Sequence, residues 1–144
     1  LNATITEAIM KAAAGIAEQY SASEMGLSGR GLTAHDVAAV AELLKSNTSV
    51  TEANLNMTEK MGDEGAKALA EALKVNTTLE CLYLGSCGIG DDGAAALAEA
   101  LRSNTSLMRL YLCHNDGIGQ QGRQLLRDAW CDAVAGRKEY RLDL

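Results

Sequence analysis

Proline and phenylalanine are both missing from this 144-residue chain, and its aromatic set is one Trp and four Tyr. Without proline there is no Pro-rich linker and no polyproline ligand. With so few rings, the 47% hydrophobic share has to come from Leu, Ala, Val and Ile, so a core must be assembled from many small contacts in regular layers. Basic residues are in deficit: 13 Lys and Arg against 19 Asp and Glu leave a net charge of −6. Affinity for nucleic acid comes largely from clustered Lys and Arg, and the scattered ones of this chain point away from a nucleic-acid partner. An acidic surface also repels anionic membranes, and no run approaches the roughly 20 apolar residues of a membrane span. There is no signal-peptide pattern, but the chain begins at Leu1, so that lack excludes nothing.

Cys81, Cys87, Cys113 and Cys131 form no C-x-x-C pair, and no histidine stands at metal-ligand spacing from them. No metal and no cofactor are expected. Reduced thiols in a cytosol-like compartment are the simpler reading, which makes the expected location intracellular and cytoplasmic.

What is present is repetition. Asn47-Thr48-Ser49-Val50, Asn76-Thr77-Thr78-Leu79 and Asn104-Thr105-Ser106-Leu107 recur, as do Gly62-Asp63-Glu64-Gly65, Gly90-Asp91-Asp92-Gly93 and Gly119-Gln120-Gln121-Gly122. The spacings of 29 and 28 residues between Asn47, Asn76 and Asn104 signal stacked supersecondary units. Each unit has two halves. Leu79-x-x-Leu82-x-Leu84 and Leu107-x-x-Leu110-x-Leu112 end in the alternation of a short strand. Ala66, Leu69, Ala70, Leu73 and then Ala94, Leu97, Ala98, Leu101 follow the i, i+3, i+4, i+7 spacing of one helix face. Asp63, Glu64, Asp91 and Asp92 stand at helix starts, where carboxylates cap free N–H groups. Strand, turn and helix returning to a parallel strand make a right-handed unit. No such unit buries its apolar face alone, so neighbours share one core.

The pattern predicts strands near 24–27, 52–55, 81–84, 109–112 and 140–144, and helices near 34–45, 63–74, 91–102 and 120–135. Residues 1–22 are expected to form an N-terminal capping helix over 4–19, opened by the capping box Thr4-x-x-Glu7. Residues 23–144 form an array of about four units ending in a terminal strand.

On these residues the chain resembles the leucine-rich repeat family, in its ribonuclease-inhibitor-like subtype. Leu79 through Cys87 to Ile89 carry L-x-x-L-x-L-x-x-C-x-I in full, and the likeness spans roughly residues 20–144. Ala53 departs from it in place of a leucine, extra residues precede Met61 and Ile118, and Arg30 stands where a small polar residue is expected. The resemblance implies an α/β fold, a right-handed β/α solenoid or horseshoe segment, with parallel strands on the concave face and helices on the convex face. Cys87 falls at the turn position that satisfies buried backbone groups, with Thr58 and Asn115 in the same ladder.

Several signals have simpler explanations than a ligand. Gly88 to Gly93 and Gly117 to Gly122 both match G-x-G-x-x-G, yet no acidic residue closes the next strand where a ribose contact is needed. The repeat accounts for both, with Ile89 and Ile118 pointing inward and glycines permitting the turn. Cys81 and Cys113 alternate outward from the strands with no His or basic partner placed to activate them, and so read as inert surface thiols. Sequons occur at Asn2, Asn47, Asn56, Asn76 and Asn104; three belong to the repeat's own loop, where Asn tolerates the left-handed region. His35 and His114 are isolated, and Trp130 aligns with Leu101 as core or cap filler. No Ser-His-Asp set or pair of buried carboxylates appears, so the chain is not expected to be an enzyme.

A solenoid binds through the outward residues of its strands. One column of such residues reads Glu52, Cys81, Arg109 and Arg141; the next reads Asn54, Tyr83, Tyr111 and Asp143; a third reads Asn56, Gly85 and Cys113. With strands about 4.8 Å apart, Tyr83 and Tyr111 stand side by side. Tyr and Arg often carry interface energy, so the first two columns form the expected partner-binding surface. The terminal strand at 140–144 adds an edge able to pair with another chain. The function read from this is a protein–protein interaction module or structural subunit, with a protein partner. The competing reading, implied by the family alone, is a regulator of an enzyme, such as a GTPase activator or an enzyme inhibitor.

Overall fold

The computed structural model describes residues 23–133 and 141–144. The capping helix expected over 4–19 lies outside them. Five three-residue strands alternate with four helices: β1 (Glu24–Gly26), α1 (Ala34–Ser46), β2 (Glu52–Asn54), α2 (Gly62–Leu73), β3 (Cys81–Tyr83), α3 (Asp91–Ser103), β4 (Arg109–Tyr111), α4 (Gln120–Ala133) and β5 (Arg141–Asp143). They make one all-parallel sheet in the order β1-β2-β3-β4-β5, and each helix packs on the next.

Register follows the inward side chains. Met25, Ala53, Leu82, Leu110 and Leu142 are partners across the sheet, and the first four are buried. Ala53 takes the leucine position without breaking the register. Leu27, Leu55, Leu84 and Leu112 form a second buried layer, and Leu32, Met61, Ile89 and Ile118 a third. On the helices Val40, Leu69, Leu97 and Leu126 close the interior from the other side. All of these belong to one continuous core, which Leu142 and Leu144 cover in part from the end. Met25, Leu27, Leu32, Val40 and Leu44 in the first unit are as buried as their counterparts in later units.

Two polar ladders tie the units together. The Asn76 side-chain amide donates to the backbone oxygens of Leu44 (2.6 Å) and Asn47, while its oxygen accepts from the backbone of Thr78 and Leu79. Asn104 repeats this one unit on, donating to the oxygens of Leu73 and Asn76 and accepting from Ser106 and Leu107. Orphan carbonyls at the ends of α1 and α2 are thereby satisfied from the next unit. The left-handed backbone expected to favour asparagine in this loop is not found, since Asn47 and Asn104 have φ near −75°; the side-chain bonds select the residue instead. The second ladder runs through the turns. Thr58 Oγ1 and Cys87 Sγ both donate to the Leu55 oxygen, and Asn115 donates to Leu84 and Leu112 while accepting from Cys87 and Ile89.

The acidic helix starts act differently from expectation. Asp63 Oδ1 accepts from the backbone N–H of Gly90 (2.7 Å) and Gly93 (3.0 Å), at the start of the following helix. Asp91 Oδ1 does the same for Gly119 and Gly122. Each carboxylate caps the neighbouring unit's helix and not its own. The glycines third in α3 and α4, Gly93 and Gly122, are required by space: a Cβ on Gly93 would lie 2.6 Å from Asp63 Oδ1 and 2.9 Å from Ala66 Cβ. Helix α1 does cap itself, through a Thr33–Asp36 capping box.

Candidate interaction surface

The face of the sheet turned away from the helices carries the outward residues of all five strands. Glu24, Glu52, Cys81, Arg109 and Arg141 are register partners in one row, and Gly26, Asn54, Tyr83, Tyr111 and Asp143 in the next. Both expected columns are thus brought together, and β1 extends each by one residue.

The tyrosines do more than stand side by side. Their rings are stacked, with centroids 4.6 Å apart and planes 7° from parallel. Arg141 lies 5.5 Å from the Tyr111 ring centre, within cation–π range, and is 3.5 Å from Asp143. Both rings are half-buried, so an aromatic platform is held rigid at low entropy cost to any binding event.

Cys81 is not a surface thiol. It sits in the outward row but is wholly buried, because Glu52 and Arg109 on the flanking strands meet across it at 3.8 Å. The Tyr83 hydroxyl acts on it as a polar neighbour. Burial pushes its pKa up, outweighing the Tyr83 hydroxyl and the nearby Arg109 charge, both of which pull it down. The basic partner that sequence spacing missed is therefore present, and the thiol is still held protonated. The Tyr83 hydroxyl is pushed up as well, first by Cys81 and then by burial. Alternation along a strand shows which face a residue is on; it does not show which long neighbours fold over it.

In the third column Asn56 Oδ1 accepts from the Gly85 N–H at 2.7 Å, and a Cβ on Gly85 would meet Cys113 Sγ at 3.0 Å. Cys113 is half-buried, and Cys131 is exposed on α4. His35 and His114 are exposed, His114 in a turn with φ 57°. Trp130 is buried. No group of three or more His, Cys, Asp or Glu able to hold a metal gathers among the described residues, and no helix among them is long and apolar enough to cross a membrane.

A sequence profile of the family described as Leucine Rich repeat matches residues 46–70 and 75–98. No curated protein matches the chain in sequence. Among solved structures it is similar to one described as leiomodin-1 actin-binding site 2, with 25% identity and a TM-score of 0.80 over 96% of this chain and 79% of that one. It also resembles the tropomodulin C-terminal domain of Caenorhabditis elegans, with 13% identity and a TM-score of 0.59 over 91% of this chain and 93% of that one; that likeness concerns the fold alone. Matched repeats, shared fold and the ladders between units together make the chain a leucine-rich repeat solenoid.

Proposed function

We propose that the chain is a non-catalytic protein-interaction module that engages its partner through the open sheet face, centred on Tyr83 and Tyr111. The stacked, half-buried ring pair carries the proposal. Rigid aromatics flanked by Arg are the side chains that most often concentrate binding energy, and a platform already ordered in the free chain loses little entropy on docking. The net charge of −6 supports a protein over a nucleic acid. A cytoplasmic setting suits four cysteines none of which is in a disulfide.

Actin is the first partner to test, since the solved structure with 25% identity and 0.80 TM-score is described as an actin-binding site. Co-sedimentation with filamentous actin and titration of labelled monomer measure it directly. Tyr83→Ala with Tyr111→Ala should weaken binding of the partner by about thirtyfold or more, the loss expected of paired hot-spot residues, while circular dichroism stays unchanged. Unchanged affinity in a folded double variant removes the open face from the function. The family's other activities, GTPase activation and enzyme inhibition among them, have no observation in this chain that favours them.

A further inference from the structure

We infer that the open face accepts an extended protein segment bearing one cationic and one anionic side chain about four residues apart, with a planar or apolar side chain between. This rests on the proposed use of that face and adds the chemistry of what it takes.

The first row is electrically polar. Glu24 and Glu52 stand at β1 and β2, and Arg109 and Arg141 at β4 and β5. Asp143 beside Arg141 offsets one of the two arginines, so the β4–β5 end stays positive and the β1–β2 end negative. Glu52 and Arg109 meet over Cys81 at the centre of the row but both stay part-exposed, so each end keeps the charge of both its strands, with Glu24 and Arg141 at its outer edge. Between them the second row offers the Tyr83–Tyr111 stack. Three strand spacings separate the midpoints of the two charged ends, about 14 Å, which an extended chain covers in about four residues. A segment with its cation over the glutamates and its anion over the arginines matches both poles, and its middle side chain lands on the rings. A segment with two like charges meets repulsion at one end, which costs more than a rim contact gains.

Selection from a displayed library of random peptides, about a dozen residues long so as to span the sheet, tests this without a known partner. Wild-type protein is the bait, and two folded variants sort the binders. Tyr83→Ala/Tyr111→Ala removes the platform. Glu52→Arg/Arg109→Glu keeps the net charge and the cross-strand contact but breaks the polarity; should it fail to fold, Glu24→Arg/Arg141→Glu takes its place. Enriched peptides are expected to share a Lys or Arg and an Asp or Glu at the stated separation and to bind each variant about tenfold more weakly. Binders that need the tyrosines but lack the charge pair, or tolerate the swap, overturn this inference and leave the interaction face standing. Binders indifferent to the tyrosines, or none at all, overturn both.

Discussion

Cys87 sits where Thr58 sits one unit earlier, and both donate to the same Leu55 oxygen, the hydroxyl at 2.6 Å and the thiol at 3.2 Å. Burial pushes the Cys87 thiol from its ordinary 9.0 up to about 11. Above pH 9 the unfolded chain releases this proton while the folded chain keeps it. The folded state then binds more protons than the unfolded, so stability falls as pH rises between about 9 and 11 and is fully present below that window. Two units correspond to about 2–3 kcal/mol. Cys87→Thr, which places a non-titrating hydroxyl in a site that Thr58 shows can hold one, should flatten this alkaline loss; urea midpoints measured from pH 8 to 11 check it, and an unchanged slope would place the titration elsewhere. The same scale accounts for the sequons. Asn76 and Asn104 are buried with both ends of their amides engaged across units, so their recurrence follows from a structural bond that each copy of the loop must make.

At the scale of the element, Asp63 and Gly93 are one device. The carboxylate of α2 reaches the first turn of α3 because the third residue there has no Cβ. Asp63→Ala should cost about 1–2 kcal/mol, as for loss of an N-cap, and Gly93→Ala about 1–3 kcal/mol from overpacking against Asp63, Ile89 and Ala66. Because the two residues touch, the double variant should cost less than the sum, and a double-mutant cycle in urea reads that coupling; strict additivity would mean the carboxylate and the glycine act separately. Strand and helix positions were legible in the sequence to within a residue or two, because Leu82, Leu84, Leu97 and Leu101 repeat at spacings that only one geometry satisfies. The direction of the caps was not. A carboxylate at a helix start reads identically whether it serves its own helix or the next, and only the distance between units separates the two. The columns of the open face were legible for the same reason as the register, since parallel strands of equal length align equivalent residues. What lay beyond sequence was the arch of Glu52 and Arg109 over Cys81, which depends on side-chain reach across two strand spacings.

At the largest scale the described residues form a one-dimensional stack whose outer strands differ from its middle. Leu82 in β3 has a packed unit on either side and is fully buried, whereas Leu142 in β5 is only partly buried at the end of the strand order. In such a stack stability is close to a sum of unit terms and nearest-neighbour interfaces, so the cost of an equal truncation depends on how many interfaces it breaks. Leu82→Ala opens a cavity that both neighbours line and should cost about 3 kcal/mol or more, lowering protection of backbone amides throughout the described array in hydrogen exchange. Leu142→Ala should cost about 1 kcal/mol and loosen mainly the bonds between β4 and β5, namely Leu112 N–H to Asp143 and Arg141 N–H to Met108. Arg141 is the pole of the open face that this strand carries. The end-strand variant is therefore expected to weaken partner binding even though most of the solenoid stays folded, and the central variant to weaken binding only in proportion to the fraction unfolded. If both variants lost exchange protection uniformly along the chain, the units would be unfolding as a single body, and the binding face could not be adjusted from its end.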